Sequence, residues 1–208
     1  MSIATSAALY QEQVRQTTSR ETIDRCLEDL AGAKESWRET PLSRRIELAR
    51  ACLAGTVALA DRWVAEACRA KGIEPGTPLE SEETAAGPMA TARYLTLLIR
   101  SLEDVERTGQ PRLPGSVKTL PNGQLAVQVF PTRGLYDSVL FAGFRADVWM
   151  QPGVTRENLP QHMAQTVKPG AIEVGIALVL GAGNVSSIAP TDAFTKLFQE
   201  GKVVLLKM

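Results

Sequence analysis

The segment from residue 172 to residue 208 constrains the fold more than any other part of this chain. It reads IEVGIALVLGAGNVSSIAPTDAFTKLFQEGKVVLLKM: an apolar run, a glycine-rich turn, an amphipathic stretch, a glycine and a second apolar run. Short apolar runs on either side of a helical pattern are typical of a strand, a helix and a parallel strand. The segment therefore predicts the first βαβ unit of a parallel α/β sheet.

This predicted sheet is incomplete within the sequence. A parallel sheet needs more strands, with helices on both faces, and none follow the second apolar run. The run VVLLKM ends the sequence without a turn, which is unusual for the natural end of a domain. We therefore expect an incomplete α/β fold in a truncated chain.

Composition and charge argue against several classes of function. Lys and Arg number 23, as do Asp and Glu, so the net charge is zero and no surface dedicated to nucleic acid or anionic membrane is expected. No apolar run approaches the ~20 residues of a membrane span, and the N-terminus lacks the pattern of a secretory signal. The three cysteines, Cys26, Cys52 and Cys68, form no CxxC pair, which favours buried thiols in a reduced, cytoplasmic protein. His162 is the only histidine, so no metal site is expected.

Helical periodicity dominates residues 18–115, where apolar residues recur every three or four positions. Three start signals precede the periodic stretches: Thr18 with Glu21 as a capping box, Thr40 with Pro41, and Thr77 with Pro78. Gly72 is expected to end one helix, and Gly87-Pro88 is expected to kink the next. The N-terminal half of the chain is thus predicted to be helical.

Residues 116–131 predict a β-hairpin, because the runs SVKTL and QLAVQVF flank Asn122-Gly123. In the Gly- and Pro-rich region that follows, VLFAGFRADVWM predicts an extended strand, and TRENLPQHMAQTV predicts a short helix capped by Thr155. The resulting organisation is an N-terminal arm over 1–17, a helical part over 18–115, the hairpin over 116–131, a connecting region over 132–170, and the start of the parallel sheet over 171–208.

The segment best suited to chemistry is Gly181-Ala182-Gly183-Asn184, which follows the first strand of the predicted βαβ unit. Glycine lets the backbone approach a ligand closely, and the free N–H groups at the following helix start attract an anion or a carbonyl oxygen. The pattern lacks the third glycine and the later acidic residue of the dinucleotide fingerprint. From spacing alone, a ligand-binding turn and a plain tight turn are both open.

The order of these segments resembles the N-terminal part of the aldehyde dehydrogenase superfamily. The similar features are the helix pair IDRCLEDLAGAKESWRETPLSRRIELARACLAGTVALADRW, the hairpin at Asn122-Gly123, and the segment GNVSSIAPTDAFTKLFQEGKVVLLK. The resemblance implies N-terminal helices, a hairpin arm that takes part in homo-oligomerisation, and the beginning of a Rossmann-like NAD(P)-binding sheet. This chain departs from the family at the turn, where Ala182-Gly183 replaces the usual Pro-Trp before the asparagine.

The resemblance also implies roles for particular residues. Asn184 matches the family's turn asparagine, whose side-chain N–H helps to hold the oxyanion that develops in the hemithioacetal step. Lys207 matches the lysine that contacts the adenosine ribose of NAD or NADP, with Gly181, Ala182 and Gly183 as the cofactor-binding turn. The structural alternatives are that Asn184 only caps the turn and that Lys207 is a solvated charge at a strand end.

The activity that the resemblance implies is NAD(P)-dependent oxidation of an aldehyde to an acid through a cysteine thioester. An acyl-CoA reductase of the same superfamily is the related alternative. The family's catalytic cysteine and general-base glutamate lie beyond the region matched here, so this chain alone is expected to be inactive. A hypothesis from another class, a non-catalytic helical interaction domain with a short α/β appendage, is also compatible with the helical share and the neutral charge.

Overall fold

A computed structural model describes residues 17–132, 134–167, 175–181 and 183–207. The helices are α1 (Arg20–Glu39), α2 (Leu42–Ala58), α3 (Ala60–Lys71), α4 (Pro78–Thr84), α5 (Ala90–Thr108), α6 (Leu135–Leu140) and α7 (Ile188–Phe194). The strands are β1 (Val117–Thr119), β2 (Leu125–Phe130), β3 (Ala146–Trp149), β4 (Ile176–Leu180) and β5 (Val203–Lys207). Strands β1, β2 and β3 form an antiparallel sheet, and β4 pairs with β5 in parallel. The fold is of the general α/β class.

The main core lies between α2 and α5 and extends to the segment that follows α7. Apolar residues of α5 recur with the i, i+3, i+4, i+7 spacing of one helix face. The buried members of this core are Ile46, Ala49, Leu95, Leu98, Ile99, Leu102 and Phe198. Trp37 of α1 closes the core, because its indole N–H donates to the Leu197 carbonyl at 3.2 Å. The core therefore joins the helical half of the chain to the βαβ unit.

Two predicted helix starts are corrected by the structure. Ser19, rather than Thr18, caps α1, and its hydroxyl accepts a hydrogen bond from the Thr22 N–H at 3.2 Å. Thr40 closes α1 instead of capping α2, since its hydroxyl donates to the Ser36 carbonyl at 2.9 Å. In both places several hydroxyl residues adjoin the helix end, and the backbone path decides which one reaches an unpaired group.

A buried arginine explains why the chain turns between α1 and α2. The Arg45 guanidinium donates from Nη2 to the carbonyls of Trp37 and Arg38, at 2.9 and 3.0 Å. It also lies over the Trp37 ring, 5.1 Å from the ring centroid. A cation that donates hydrogen bonds to the last carbonyls of a helix stabilises that helix end. Arg45 thereby fixes the angle between the two helices.

Other local predictions for the helical part are confirmed. Gly72 ends α3 in the left-handed conformation with φ of 68°. Thr77 is the N-cap of α4, with Pro78 at the first helical position. Gly87 interrupts the helix at Ala85–Met89 with φ of −111° and ψ of −107°. Each of these features follows from a glycine or proline acting on its own backbone.

The predicted hairpin is present, and a third strand extends it. Thr119 pairs with Leu125 across the turn, and Gly123 takes a positive φ of 86°. On the other side of β2, Val127 pairs with Val148 of β3. The hairpin is thus one part of a three-stranded antiparallel sheet.

Two predictions for the connecting region are wrong. The segment VLFAGFRADVWM is not one strand, because its first residues belong to α6 and only its last part forms β3. Helix α6 is tied to α5 by an ion pair between the buried Asp137 carboxylate and Arg93, at 2.7 Å. The segment that begins at Thr155 contains two short 3₁₀ turns instead of an α-helix. Pro160 in that segment lacks the N–H that an α-helix would need there.

The βαβ unit has the predicted order of elements. Its register runs from Ile176 opposite Val203 to Leu180 opposite Lys207. Helix α7 and a following π-helical turn connect the two strands, and Gly201 precedes β5 with a positive φ of 68°. Within the described ranges, no helix is both long enough and apolar enough to cross a membrane.

Candidate functional site

The candidate site lies at the carboxyl ends of β4 and β5. The Gly181 N–H donates to the Lys207 carbonyl at 2.7 Å, because the parallel register places Leu180 opposite Lys207. The glycine-rich turn and the strand-end lysine are therefore neighbours. Ala182, which was also predicted to belong to the cofactor-binding turn, lies outside the described residues.

The remaining predicted residues of the turn are open to solvent. Gly183 and Asn184 are both exposed, and a Cβ added at Gly183 would meet no atom within 4 Å. The turn therefore has room for a ligand next to its backbone. The Asn184 backbone carbonyl accepts a hydrogen bond from another element, while the residue as a whole is exposed to solvent.

A lysine from the helical half holds the turn. The Lys71 ammonium, at the end of α3, donates to the Asn184 carbonyl at 2.7 Å. It also pairs at 2.5 Å with Glu83 of α4, whose side chain is only 5% exposed. Sequence reasoning missed both residues. A lysine in a last helical turn ordinarily indicates only a favourable interaction with the helix dipole.

A second contact holds the same turn two residues further along the chain. The Trp63 indole N–H, also on α3, donates to the Ser186 hydroxyl at 2.8 Å. The next residue, Ser187, is the N-cap of α7, without a side-chain cap bond. A Cβ added at Gly87 would lie 2.9 Å from the Ser186 Oγ. Glycine at the kink is thus what allows this close approach.

The cysteines do not offer a nucleophile at this site. Cys68 is buried on α3, and burial raises the pKa of its thiol, with Glu80 and Glu83 raising the pKa further. Burial also raises the pKa of Cys52 on α2. A reactive cysteine requires an accessible thiolate. These thiols therefore have the character of structural cysteines.

We expect the thiols to react with a disulfide reagent in order of their burial. At neutral pH in the native protein, the buried Cys68 should react at least about tenfold more slowly than the half-buried Cys26, because the Cys68 thiol must be both uncovered and ionised. Mass spectrometry of timed labelling reactions measures the three rates separately, with the unfolded protein in denaturant as the control. Equal native rates for Cys26 and Cys68 would contradict the burial seen here.

The described residues contain no group of three or more His, Cys, Asp and Glu side chains placed to hold a metal ion. His162 lines a groove between α5 and the 3₁₀ turns, and Tyr94 and Gln199 are among the other residues that line it. The candidate site therefore rests on backbone groups, an amide and two lysines.

A parallel strand–helix–strand unit with an open turn at the carboxyl ends of its strands places the chain in the general α/β class. Comparison with family models, with curated proteins and with solved structures found no match to this chain. The resemblance to aldehyde dehydrogenases accordingly rests on the residues quoted above.

Proposed function

We propose that this chain is the N-terminal part of an NAD(P)-dependent oxidoreductase of the aldehyde dehydrogenase type. One observation carries the proposal: the Gly181–Lys207 hydrogen bond of 2.7 Å, which puts the glycine-rich turn beside the strand-end lysine. In open α/β sheets, ligands bind outside the carboxyl ends of the strands. Two groups that suit a dinucleotide therefore meet at the edge where such a ligand would bind.

The groups at this edge fit NAD or NADP. The exposed backbone of Gly183 allows a phosphate or a ribose to approach closely. The Lys207 ammonium supplies a donor and a positive charge for ribose hydroxyls or a 2′-phosphate. When bound, the nicotinamide would accept a hydride. In this scheme the Asn184 side chain donates a hydrogen bond to the oxyanion that forms at the substrate carbonyl.

The proposed reaction is oxidation of an aldehyde to an acid through a cysteine thioester. The thiolate and the general base would come from a part of the protein beyond this sequence, so we expect these residues alone to be inactive. An acyl-CoA reductase, which uses the same site in the reducing direction, is the alternative within the proposed superfamily. For the hairpin formed by β1 and β2 we propose a contact between subunits of a homo-oligomer.

One observation favours the second candidate, a non-catalytic interaction domain. Helix α6, strand β3 and the segment between them carry exposed apolar side chains: Leu135, Tyr136, Val139, Leu140, Phe144, Val148 and Trp149. Exposed apolar surface of this kind marks interaction sites in many proteins. Binding of the cofactor is the property that discriminates between the two candidates.

Titration with NAD and with NADP tests the proposed function. A ligand that binds only the folded state at 100 times its Kd should stabilise the protein by about 2.7 kcal/mol, which corresponds to roughly 5–10 °C in Tm for a chain of this size. The measurement is thermal unfolding at increasing concentrations of each nucleotide.

Two variants sharpen this titration. Lys207→Ala should reduce the shift, because it removes the charge at the carboxyl edge of the sheet. Lys118→Ala, which changes an exposed lysine on β1, is the matched control and should leave the shift unchanged. No shift at millimolar NAD and NADP would contradict the proposal and support the interaction domain.

A further inference from the structure

We infer that Lys71, held by Glu83, is a positioning residue for the turn that follows β4. The effect on cofactor binding rests on the proposed function, whereas the effect on the turn itself does not. The inference starts from three groups that belong to three elements: the ammonium at the end of α3, the buried carboxylate of α4, and the carbonyl of Asn184.

The two contacts from α3 bracket a single residue of the turn. Lys71 holds the Asn184 carbonyl and Trp63 holds the Ser186 hydroxyl, so Val185 lies between two fixed points. On a helix, positions eight residues apart are separated by about 12 Å along the axis. The long lysine side chain and the indole therefore reach towards the same turn from two places on one rigid element.

The electrostatics favour a defined lysine position. The Glu83 side chain is only 5% exposed, and Lys71 pairs with its carboxylate at 2.5 Å. Hydrogen bonds that involve a charged group are shorter and stronger than neutral ones. A buried carboxylate also needs its cationic partner nearby. Glu83 therefore orients the ammonium, and the ammonium orients the carbonyl.

Fixing this carbonyl fixes more than one atom. The peptide unit between Asn184 and Val185 is planar, and in a trans peptide the C=O and N–H point in opposite directions. With the carbonyl bound to Lys71, the Val185 N–H is directed away from α3, and no acceptor for it is seen in the described ranges. Lys71 thereby sets the direction of this donor and the backbone from which the Asn184 side chain projects.

The test uses two readouts on the 208-residue chain. The first is hydrogen–deuterium exchange of peptides that span residues 183–187, without any nucleotide. In Lys71→Met we expect exchange there to be about tenfold faster, because a hydrogen bond to a charged group no longer holds the turn, while exchange in α5 stays as in the parent protein. The second readout is the Kd for NAD and NADP, which should rise about tenfold.

Three further variants separate positioning from folding. The double variant Lys71→Met with Glu83→Gln avoids leaving a buried carboxylate unpaired and should show the same faster exchange. Lys71→Arg keeps the cation and should restore slow exchange and tight binding. Arg69→Met removes a cation from the same last turn of α3, where it pairs with the exposed Glu66, and should change neither readout.

The outcomes distinguish this inference from the proposed function. If the parent protein does not bind either nucleotide, the proposed function fails, and exchange still decides whether Lys71 orders the turn. Unchanged exchange in Lys71→Met and in the double variant with Glu83→Gln would overturn the inference even where nucleotides bind. Faster exchange combined with an unchanged Kd would show that Lys71 orders a turn on which binding does not depend, and would overturn its role at the cofactor site.

Discussion

Replacing Phe198 by Ala should lower the free energy of unfolding by about 3–5 kcal/mol, the usual cost of removing a buried aromatic ring. Phe198 is 1% exposed and meets the Trp37 ring edge-on, with 5.9 Å between the ring centroids. It also belongs to the core that α2 and α5 form. Its loss would therefore leave a cavity where the helical half meets the βαβ unit.

Denaturant unfolding of Phe198→Ala measures this effect, with the slope m compared between the two proteins. Phe144→Ala is the matched control, because it makes the same substitution at a residue that is 70% exposed. Its effect on the free energy of unfolding should stay within about 0.5 kcal/mol. Similar losses in the two variants would mean that Phe198 does not occupy the core.

Replacing Asp137 by Ala should cost about 3–5 kcal/mol, because it leaves the partners of a buried carboxylate without their acceptor. Asp137 is 1% exposed, pairs with Arg93 at 2.7 Å and accepts the Thr132 N–H at 2.8 Å. The control is Asp147→Ala, which breaks a more exposed pair with Arg145 and should cost at most about 1 kcal/mol. Equal values would contradict the buried network.

The same carboxylate should make stability depend on pH. Burial raises the pKa of Asp137, but hydrogen bonds from Thr132 and the Arg93 cation outweigh that effect and leave the pKa below its ordinary 3.8. A lowered folded-state pKa gives stability that is complete above the unfolded-state pKa and is lost as the pH falls through the folded-state pKa. Asp137→Asn should therefore flatten the fall in stability in acid below about pH 4.

Local signals predicted much of the secondary structure. Gly72, Thr77-Pro78 and Asn122-Gly123 act on their own backbone, and each appears where it was expected. The order strand, turn, helix, strand followed from apolar periodicity, and the parallel register then placed Gly181 beside Lys207. The exact caps were less predictable, since neighbouring hydroxyl residues compete for the same helix end.

Contacts that are distant in the sequence decided the rest. Helix α6 takes up the first two residues of the predicted strand, and its Asp137 carboxylate is bound by Arg93 of another helix. Burial and pairing of this kind override weak local preferences. Local patterns in a single sequence do not identify a partner that lies on another helix.

The sequence by itself determined the βαβ order, the hairpin and the residues at the carboxyl edge, because these depend on backbone preferences and on periodicity over a few turns. Only the tertiary structure decided that the turn is held by α3. Lys71 and Asn184 are 113 positions apart, and Trp63 and Ser186 are 123 apart. No local pattern encodes contacts over such separations, which arise when the packed core brings the helical half against the βαβ unit.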